Sequence, residues 1–470
     1  MKSSISAVIY QCRTIAAASG KGRADMPVGP IIHLSLTLLM AIFGLRPETA
    51  AAAVSAGHHY VPTIPQNMDD VDVFLTTAGV GHEVNDRFGH TGIRVTNRQE
   101  GTDVVFNWGQ FSFEDPTFLW KFFRGQLDYS MGVRTLPHDV SLYRRMGRLL
   151  RMEHLNLSSK QKRLLLEKIA WNAVPEHRLF AYQYWYKNCS TIPRDYLNEA
   201  LGGAVFARFG KTPAHKVFRD YVRGNLAYTP FVVPLLDILM NSNIDRPISA
   251  WEDMFLPANL RLWLLQMPAQ DDAGQEIAGV KLLSDSTVLN AAVEDFVPAF
   301  SDYAVEVLPL VLPLCLALGL FLVQVTRKGV SRLVWAYRLL GVATLYWGLL
   351  GGLLGFLLLT DWAFSGHPDG WHNANLLLFW PIDALFIPLG WRLLRTGAPL
   401  LGSLRWLDLR RFCLLHAISL GLLCGLTALK VLEQNIWQTV AWFGLPLLLL
   451  LALLAAYGAA PVPRAHPVEA

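Results

Sequence analysis

Residues 88–95 (FGHTGIRV) and 188–191 (NCST) supply one histidine and one thiol to the same long segment of the chain. Cys189 is the only cysteine between an apolar segment near the N-terminus and the first stretch that could span a membrane. A disulfide inside this segment is therefore excluded, and so is a zinc site built from several cysteines. A single thiol with a histidine elsewhere in the chain is typical of a nucleophile and its base. A buried, unreactive cysteine that packs as a small hydrophobic residue is the alternative.

The C-terminal part of the chain is strongly apolar. Hydrophobic residues make up 52% of the 470 residues, and after Asp302 they fall into long runs. Each run is long enough, or nearly so, for a hydrocarbon core of ~30 Å. The sequence therefore predicts an all-α, polytopic membrane domain of about five helices, at residues 304–326, 334–359, 375–394, 412–429 and 437–457.

Basic residues predict how these spans are oriented. Arg327, Lys328 and Arg332 follow the first span and further arginines follow the third, whereas residues 361–373 contain no Lys or Arg. By the positive-inside rule, we expect the first and third connections in the cytoplasm and residues 57–302 outside it. The net charge of +4 reflects this topology and gives no support for binding nucleic acid.

The N-terminal segment reads as an export signal. Residues 31–45 form an apolar run of signal-peptide length, and small residues before Gly57 suit cleavage there. Met26 could be the true start, and an uncleaved anchor is the main alternative. The sequence thus predicts three parts: a signal peptide or anchor (1–56), an exported domain (57–302) and a transmembrane domain (303–470).

The exported domain reads as α+β. Residues 71–77, 91–96 and 103–107 are short β-type runs between turn residues, so we expect neighbouring strands. A helix is expected from Ser158 or Ser159 to Ala173, with Leu164, Leu165, Ile169 and Ala173 on one face.

A further helix is expected directly after Cys189. Pro193 must lie in its first turn, so Ser190 or Thr191 is the expected cap, and Gly202-Gly203 ends it. This places Cys189 at a helix N-terminus, where the dipole and unpaired N–H groups favour the thiolate. The N–H of Cys189 itself is then the best candidate to stabilise an oxyanion.

The base and its orienting partner are expected on strands. His90 opens a strand beside Gly89 and Gly92, and it is preferred to His82 as the base. A third polar group usually orients such an imidazole. Asn107 on the neighbouring strand is our choice, although an ordinary strand-end residue before Gly109 would explain it nearly as well.

Several short motifs follow one another in a fixed order between residues 69 and 260. They are Gly81 with Glu83, FGH at 88–90, NWG at 107–109, LNLS at 155–158, Tyr182, NCST at 188–191, RD at 194–195 and WEDMFLP at 251–257. This set resembles a family of exported bacterial domains, long known only as a domain of unknown function, that includes the Lnb-type lipoprotein N-acyltransferases. The resemblance implies a papain-like domain of the NlpC type, circularly permuted so that histidine precedes cysteine. It is similar in this to the lecithin–retinol acyltransferase group, in which an Asn-Cys pair holds the nucleophile. Carried over, Cys189 is the nucleophile and His90 the base.

Other polar residues are candidates for binding substrate. Glu83, Arg178 and Asn188 could shape the polar end of the cleft, although ordinary salt bridges would explain the first two. In the membrane half, His367, His372 and Asn373 cluster at the outer end of the second and third spans, on the same side as Cys189. The histidines could bind a phosphate or an incoming amine, or the loop could simply be solvated. Asp383, inside the third span, is a functional candidate because burying a carboxylate in a membrane is costly.

These expectations favour an acyltransferase. The Cys189 thiol would take an acyl chain from a membrane phospholipid and pass it to the α-amino group of a diacylglyceryl-cysteine lipoprotein, with no metal or other cofactor. A membrane-anchored cysteine peptidase or amidase that acts on peptidoglycan would use the same two residues. A non-catalytic membrane scaffold is a third alternative.

Overall fold

The structure is a computed structural model of the whole chain. It describes residues 60–110, 118–126, 128–227, 229, 231–293, 303–327, 329–400 and 408–458. The predicted signal segment lies outside these residues, and so does the stretch before residue 303 where the exported domain was expected to end.

A seven-stranded antiparallel sheet forms the centre of the exported domain. Its strands lie side by side in the order 179–181, 128–134, 102–110, 90–97, 71–78, 150–155 and 283–290. Apolar side chains such as Val73, Leu75 and Ile93 are fully buried between the sheet and the helices that cover it. The strands are β1 (Val71–Ala78), β2 (His90–Asn97), β3 (Thr102–Gln110), β4 (Asp128–Arg134), β5 (Leu150–Leu155), β6 (Leu179–Ala181), and β9 (Leu283–Asn290), with β7 (Pro268–Gln270) and β8 (Glu276–Lys281) forming a separate hairpin. The three predicted strands are confirmed as β1, β2 and β3.

Helices alternate with strands from residue 118 onward, and β7, β8 and β9 follow the last helix of this domain. Helices and strands together fit the predicted α+β class. Those of the exported domain are α1 (Phe118–Phe123), α2 (Leu136–Arg145), α3 (Ser159–Ala173), α4 (Thr191–Ala200), α5 (Ala204–Phe209), α6 (Phe218–Asn225), α7 (Val232–Leu239), α8 (Ala250–Asp253) and α9 (Pro257–Leu264). Ser158 caps α3 through a capping box with Gln161, so the predicted start is confirmed. The predicted face is wrong at one position: Leu164 is 40% exposed, and Leu166 is buried in its place.

The membrane domain contains four helices that are long and apolar enough to span a membrane within the described residues, or five spans when a bent helix pair is counted as one. The third span expected from the sequence is instead this bent pair, Pro368–Leu377 with Pro381–Thr396. Its two halves are bent by 51° at the break. The helices are α10 (Tyr303–Val325), α11 (Val330–Phe364), α12 (Phe386–Thr396), α13 (Leu409–Ala428) and α14 (Trp437–Gly458, with two π-helical turns).

Glycines let the bent segment pack directly on the backbone of α11. A Cβ on Gly355 would lie 2.4 Å from the carbonyl carbon of Trp380, and one on Gly341 would lie 2.5 Å from the backbone nitrogen of Leu394. The bent segment therefore runs antiparallel to α11 for most of its length. At its end, a Cβ on Gly397 would meet Val334 in the first turns of α11, so the segment returns to the end at which α11 begins.

Hydrogen bonds from α13 satisfy the backbone at the break in this segment. Ser419 donates to the Leu377 carbonyl at 2.8 Å, and His416 contacts the Leu378 carbonyl through Nε2 at 3.1 Å. Asp383 is fully buried there, 3.3 Å from His416 Nδ1, and it accepts a hydrogen bond from Trp347. Broken helices are tolerated in membranes where neighbours satisfy the freed backbone groups. The structure therefore gives Asp383 structural partners at the helix break.

The exported domain and the membrane domain share one hydrophobic core. Trp185, Phe218 and Val233 of the exported domain belong to the same buried cluster as Trp347 and Phe379 of the membrane helices. Although the sequence suggests a boundary near residue 302, the two domains therefore do not pack as independent bodies. Hydrogen bonds also join the exported domain to the end of the bundle formed by residues 365–375 and 434–435.

Candidate active site

His90 is the first residue of β2, at the end of the sheet where the neighbouring strands β1 and β3 terminate. Gly89 precedes it with φ +77, and a Cβ there would lie 2.8 Å from the Ala78 carbonyl oxygen. Only glycine fits this turn without strain. The tight turn thus delivers the imidazole to the end of the sheet, where it is partly buried.

Asn107 on β3 holds the imidazole. Its Oδ1 lies 3.0 Å from His90 Nε2, while its Nδ2 donates to the Val105 carbonyl at 3.2 Å. Because Oδ1 can only accept, Nε2 must carry the proton, and Nδ1 is left as the basic nitrogen. Gly92 lies opposite Asn107 in the ladder, and a Cβ on Gly92 would lie 3.1 Å from this Oδ1. Glycine at position 92 therefore makes room for the amide.

A buried ion pair, Asp139 with Arg134, contacts the amide nitrogen of Asn107. Asp139, in the first turn of α2, is 3.4 Å from Asn107 Nδ2 and 2.5 Å from Arg134 Nε. The carboxylate accepts from the amide, and this contact helps to fix which end of the Asn107 side chain faces His90. Neither Asp139 nor Arg134 could be predicted from the sequence, since no local motif links them to a histidine more than 40 positions away.

Cys189 precedes α4, as expected, but the helix cap differs from the prediction. Ser190 occupies the cap position, yet its hydroxyl donates to the Met254 carbonyl and makes no capping bond. The Asn188 side chain caps instead: its Oδ1 accepts from the N–H groups of Ser190 (2.8 Å) and Thr191 (2.9 Å). Its Nδ2 donates to the carbonyls of Tyr184 and Phe255. Asn188, buried and fully hydrogen-bonded, therefore positions the nucleophile from the preceding residue.

The start of α4 meets the start of β2, which brings the thiol to the histidine-bearing strand end. The backbone of Thr91, the residue after His90, hydrogen-bonds to the Cys189 sulfur. On the other side, a Cβ on Gly109 would lie 3.8 Å from Cys189 Cβ, so the glycine bulge at the end of β3 leaves the thiol uncovered. Cys189 is half-buried between these two strand ends.

The electrostatics of the site favour a neutral thiol and a neutral imidazole. Burial raises the pKa of Cys189 from 9.0 to about 11, although the Thr91 backbone, Arg148 and its own N–H act to lower it. Burial, followed by the charges of Arg134 and Arg148, lowers the pKa of His90 from 6.5 to about 3. The expected lowering of the thiol pKa at the helix N-terminus is therefore wrong, because burial outweighs the dipole.

Arg148 is a buried cation whose charge lowers the pKa of both Cys189 and His90. Its side chain is 4% exposed, and it forms an ion pair with Asp86 at 2.7 Å and donates to the Gly79 carbonyl at 2.9 Å. These contacts tie the loop between β1 and β2 to β5. Like Asp139, Arg148 has no motif by which the sequence could have identified it.

Two tyrosines face the sulfur from β4 and the loop after β6. The rings of Tyr129 and Tyr182 stack with centroids 4.2 Å apart. Burial raises the pKa of both phenols, and the nearby Cys189 raises it further. Both phenols are therefore protonated at neutral pH and able to donate hydrogen bonds beside the thiol.

The predicted substrate-binding residues of the exported domain lie in different settings. Glu83 and the rejected candidate His82 are exposed in the loop before β2. Arg178 donates to the Met131 carbonyl at 3.2 Å and so supports the edge of the sheet between β4 and β6. Asn188 serves as the helix cap described above.

The loop that follows α11 (residues 365–375) holds the predicted cluster of His367, His372 and Asn373 against the exported domain. His367 contacts the Phe122 carbonyl through Nε2 at 2.6 Å. Asn373 is 3% exposed, and its amide donates to the Ile238 carbonyl at 2.9 Å. His372 packs beside Trp362, at 5.4 Å between ring centroids. For His367 and Asn373, these contacts show a role in attaching the two domains.

Within the described residues, no three His, Cys, Asp or Glu side chains come together in a group that could hold a metal ion. A site without a metal or other cofactor stays a prediction.

The residues of this site lie within a stretch of known similarity. Residues 65–222 match the Lnb N-terminal periplasmic domain. The matched residues include His90, Asn107 and Cys189, and the resemblance seen in the motifs is supported over this third of the chain. Comparison with curated proteins and with solved structures finds no significant match.

This match and the apolar helices together indicate a multi-pass membrane protein, with residues 65–222 similar to a family of periplasmic domains. The circularly permuted, papain-like assignment stays a prediction.

Proposed function

We propose that this protein is a lipoprotein N-acyltransferase of the bacterial inner membrane. Cys189 takes an acyl chain from a phospholipid as a thioester and passes it to the α-amino group of a diacylglyceryl-cysteine lipoprotein. The observation that supports this most strongly is the arrangement of Cys189, His90 and Asn107 within the Lnb-type domain, with the basic nitrogen of His90 fixed by Asn107.

The first half-reaction forms the thioester. His90 Nδ1 takes the thiol proton as Cys189 Sγ bonds to the ester carbonyl carbon. The resulting oxyanion accepts a hydrogen bond from the Cys189 N–H, since the next two N–H groups of α4 already donate to Asn188. The carbon–oxygen bond of the ester then breaks, and His90 returns its proton to the departing lysophospholipid alkoxide.

The second half-reaction transfers the chain. The lipoprotein amine attacks the thioester carbonyl, His90 takes a proton from the nitrogen, and the carbon–sulfur bond breaks. The proton returns to the thiolate, so the enzyme is regenerated without an added energy source. Water must be kept from the thioester during this step.

The attachment to the membrane bundle supports a lipid substrate. Trp185 lies four residues before Cys189, and its indole N–H donates to Asp369 of the loop that follows α11 at 2.8 Å. Since this contact belongs to the core shared by the two domains, the distance between thiol and bilayer is set by packing. A peptidoglycan hydrolase would need only an anchor.

Intact-protein mass spectrometry after incubation with phospholipid vesicles tests the proposal. We expect one acyl adduct on the wild-type protein, located on the peptide that contains Cys189, and loss of the adduct when a diacylglyceryl lipopeptide is added. A Cys189→Ser variant serves as the control. If the wild-type protein forms no adduct but cleaves peptidoglycan fragments, the peptidase alternative replaces this proposal; if it does neither, the scaffold alternative is favoured.

A further inference from the structure

A continuous wall of aromatic rings begins beside the Cys189 sulfur. Tyr129 and Tyr182 stack at 4.2 Å, and Tyr182 meets Tyr184 edge-on at 5.5 Å. A Cβ on Gly109 would lie 3.8 Å from Cys189 Cβ and 3.9 Å from the Tyr129 ring. Because residue 109 has no side chain, space remains between the thiol and the first ring of the wall.

The wall continues to the outer end of the membrane bundle. The ring centroid of Tyr184 lies 6.4 Å from that of Phe122 in α1 and 6.1 Å from that of His367. The ring centroids of Phe122 and His367 are 5.5 Å apart. His367 belongs to the loop that follows α11. The aromatic wall, defined as Tyr129, Tyr182, Tyr184 and Phe122, therefore connects the thiol to the level at which the membrane-spanning helices end.

Close backbone contacts hold α1 on this loop. The Gly366 N–H donates to the Phe123 carbonyl at 3.1 Å, and a Cβ on Gly366 would lie only 1.8 Å from the Arg124 carbonyl oxygen. The exposed side of the wall, where Tyr184 is 41% and Phe122 36% exposed, is thus held in a fixed position above the bundle.

We infer that the aromatic wall binds the acyl chain of the phospholipid donor and guides it from the outer leaflet to Cys189. The inference rests on the proposed function and adds a binding site to it. An alkyl chain fits because the wall offers apolar ring faces with neutral phenols. It also fits because Phe122, at the far end of the wall from the thiol, lies beside His367 at the level where the membrane-spanning helices end. The ester carbonyl then falls beside the thiol, in the space next to Gly109, while the rest of the chain lies along Tyr182, Tyr184 and Phe122.

Two phospholipids with the same headgroup test this inference, one dipalmitoyl and one dihexanoyl. The quantity to measure is the ratio of the rates at which the two donors acylate Cys189, followed by intact-protein mass spectrometry in the full-length protein. We expect Tyr184→Ala and Phe122→Ala each to lower the long-to-short ratio by roughly tenfold, the change that loss of apolar contact for about two methylene groups produces.

Tyr186→Ala is the matched control. Tyr186 lies in the same loop and is 47% exposed, but its ring faces Phe218 and its hydroxyl accepts a hydrogen bond from Arg246. The long-to-short ratio should be unchanged in this variant. If Tyr184→Ala and Phe122→Ala also keep the wild-type ratio, the aromatic wall is not the acyl site, although the proposed function stands. If the wild-type protein is acylated by neither donor, the proposed function fails and this inference fails with it.

Photocrosslinking of the wild-type protein gives a second measurement that does not depend on the variants folding. A phospholipid that carries a diazirine in the middle of its acyl chain should label peptides that contain Phe122 or Tyr184. Labelling confined to peptides of the membrane-spanning helices would overturn the inference.

Discussion

His90 Nε2 lies 3.0 Å from Asn107 Oδ1, and this contact decides which nitrogen of the imidazole can act as a base. The amide nitrogen of Asn107 faces two acceptors, the Val105 carbonyl and the Asp139 carboxylate, so its oxygen must face the histidine. The proton of the neutral imidazole is therefore on Nε2, and Nδ1 is free to take the thiol proton. In the proposed mechanism, the orientation of His90 depends on this hydrogen bond between β2 and β3, and the Asp139 carboxylate acts on it through Asn107.

Substitutions of Cys189 and of each histidine should show whether His90 or His82 acts as the base. Cys189→Ser should abolish acyl-adduct formation, since a hydroxyl is far less acidic than a thiol. His90→Ala should slow adduct formation by roughly 10²–10⁴-fold, the usual contribution of general acid–base catalysis. His82, which is exposed, is the control, and His82→Ala should change the rate by less than about twofold. An equal loss in both histidine variants would contradict the assignment of the base.

Asn107→Ala should lower the rate of adduct formation by about 10-fold or more, because the imidazole loses the partner that fixes its tautomer. Asn97→Ala is a suitable control: Asn97 is also buried, at the far end of β2, and its side chain accepts from the N–H groups of Gln99 and Glu100. Thermal unfolding of both variants should be followed beside the rate. If Asn97→Ala loses as much activity as Asn107→Ala at a similar melting temperature, Asn107 has no special role in orienting His90.

The pH dependence of adduct formation should lack a step near neutral pH. Because the pKa of His90 is lowered to about 3, the imidazole stays neutral and able to accept a proton as the pH falls below 6.5. Because the pKa of Cys189 is raised to about 11, the thiol stays protonated on the alkaline side. We expect a nearly constant rate from roughly pH 5 to pH 9 when single-turnover acylation is measured. A half-maximal rate near pH 6.5 would show that His90 titrates like a solvent-exposed histidine.

Gly355→Ala should destabilise the membrane bundle. The added Cβ would lie 2.4 Å from Trp380 and 2.6 Å from Pro381 backbone atoms, so the bent segment must move away from α11. Overpacking of this kind typically costs about 1–3 kcal/mol. Gly319→Ala in α10 adds the same methyl group where no atom lies within 4 Å, and it should leave the melting temperature in detergent unchanged or slightly higher. Equal melting temperatures for the two variants would count against the close packing of α11 on the bent segment.

Reporter fusions should place the two ends of the bundle on opposite sides of the inner membrane. A reporter after Pro298 should be active only outside the cytoplasm, and reporters at Gly329 and Gly402 only inside it. Contacts at both ends of the bundle support five crossings. The Leu400 N–H donates to the Gly458 carbonyl at one end, and the Gln434 amide donates to Asn373 Oδ1 at the other. Periplasmic activity at Gly402 would mean that the bent segment does not cross.

The sequence was sufficient to predict the elements whose formation depends on local patterns. The strands that begin near Val71 and His90 alternate apolar and polar side chains, and the helix after Ser158 has its capping box within four residues. The membrane runs were visible because a span needs length and apolarity alone. The pair of His90 and Cys189 could be proposed because one lone thiol and the resemblance of short motifs pointed to them.

Only the tertiary structure could decide the features that depend on distant contacts. Asp139, Arg134 and Arg148 reach the site from other elements, and no spacing in the sequence relates them to His90. The pKa of Cys189 was predicted in the wrong direction because the helix N-terminus is visible in the sequence, whereas the burial that outweighs it is a property of the assembled fold. The outer-loop polar residues looked free to bind substrate, but packing pairs Asn373 and Asp369 with the exported domain. Sequence records the local preferences of each segment, while desolvation and the pairing of buried polar groups are set by which segments meet.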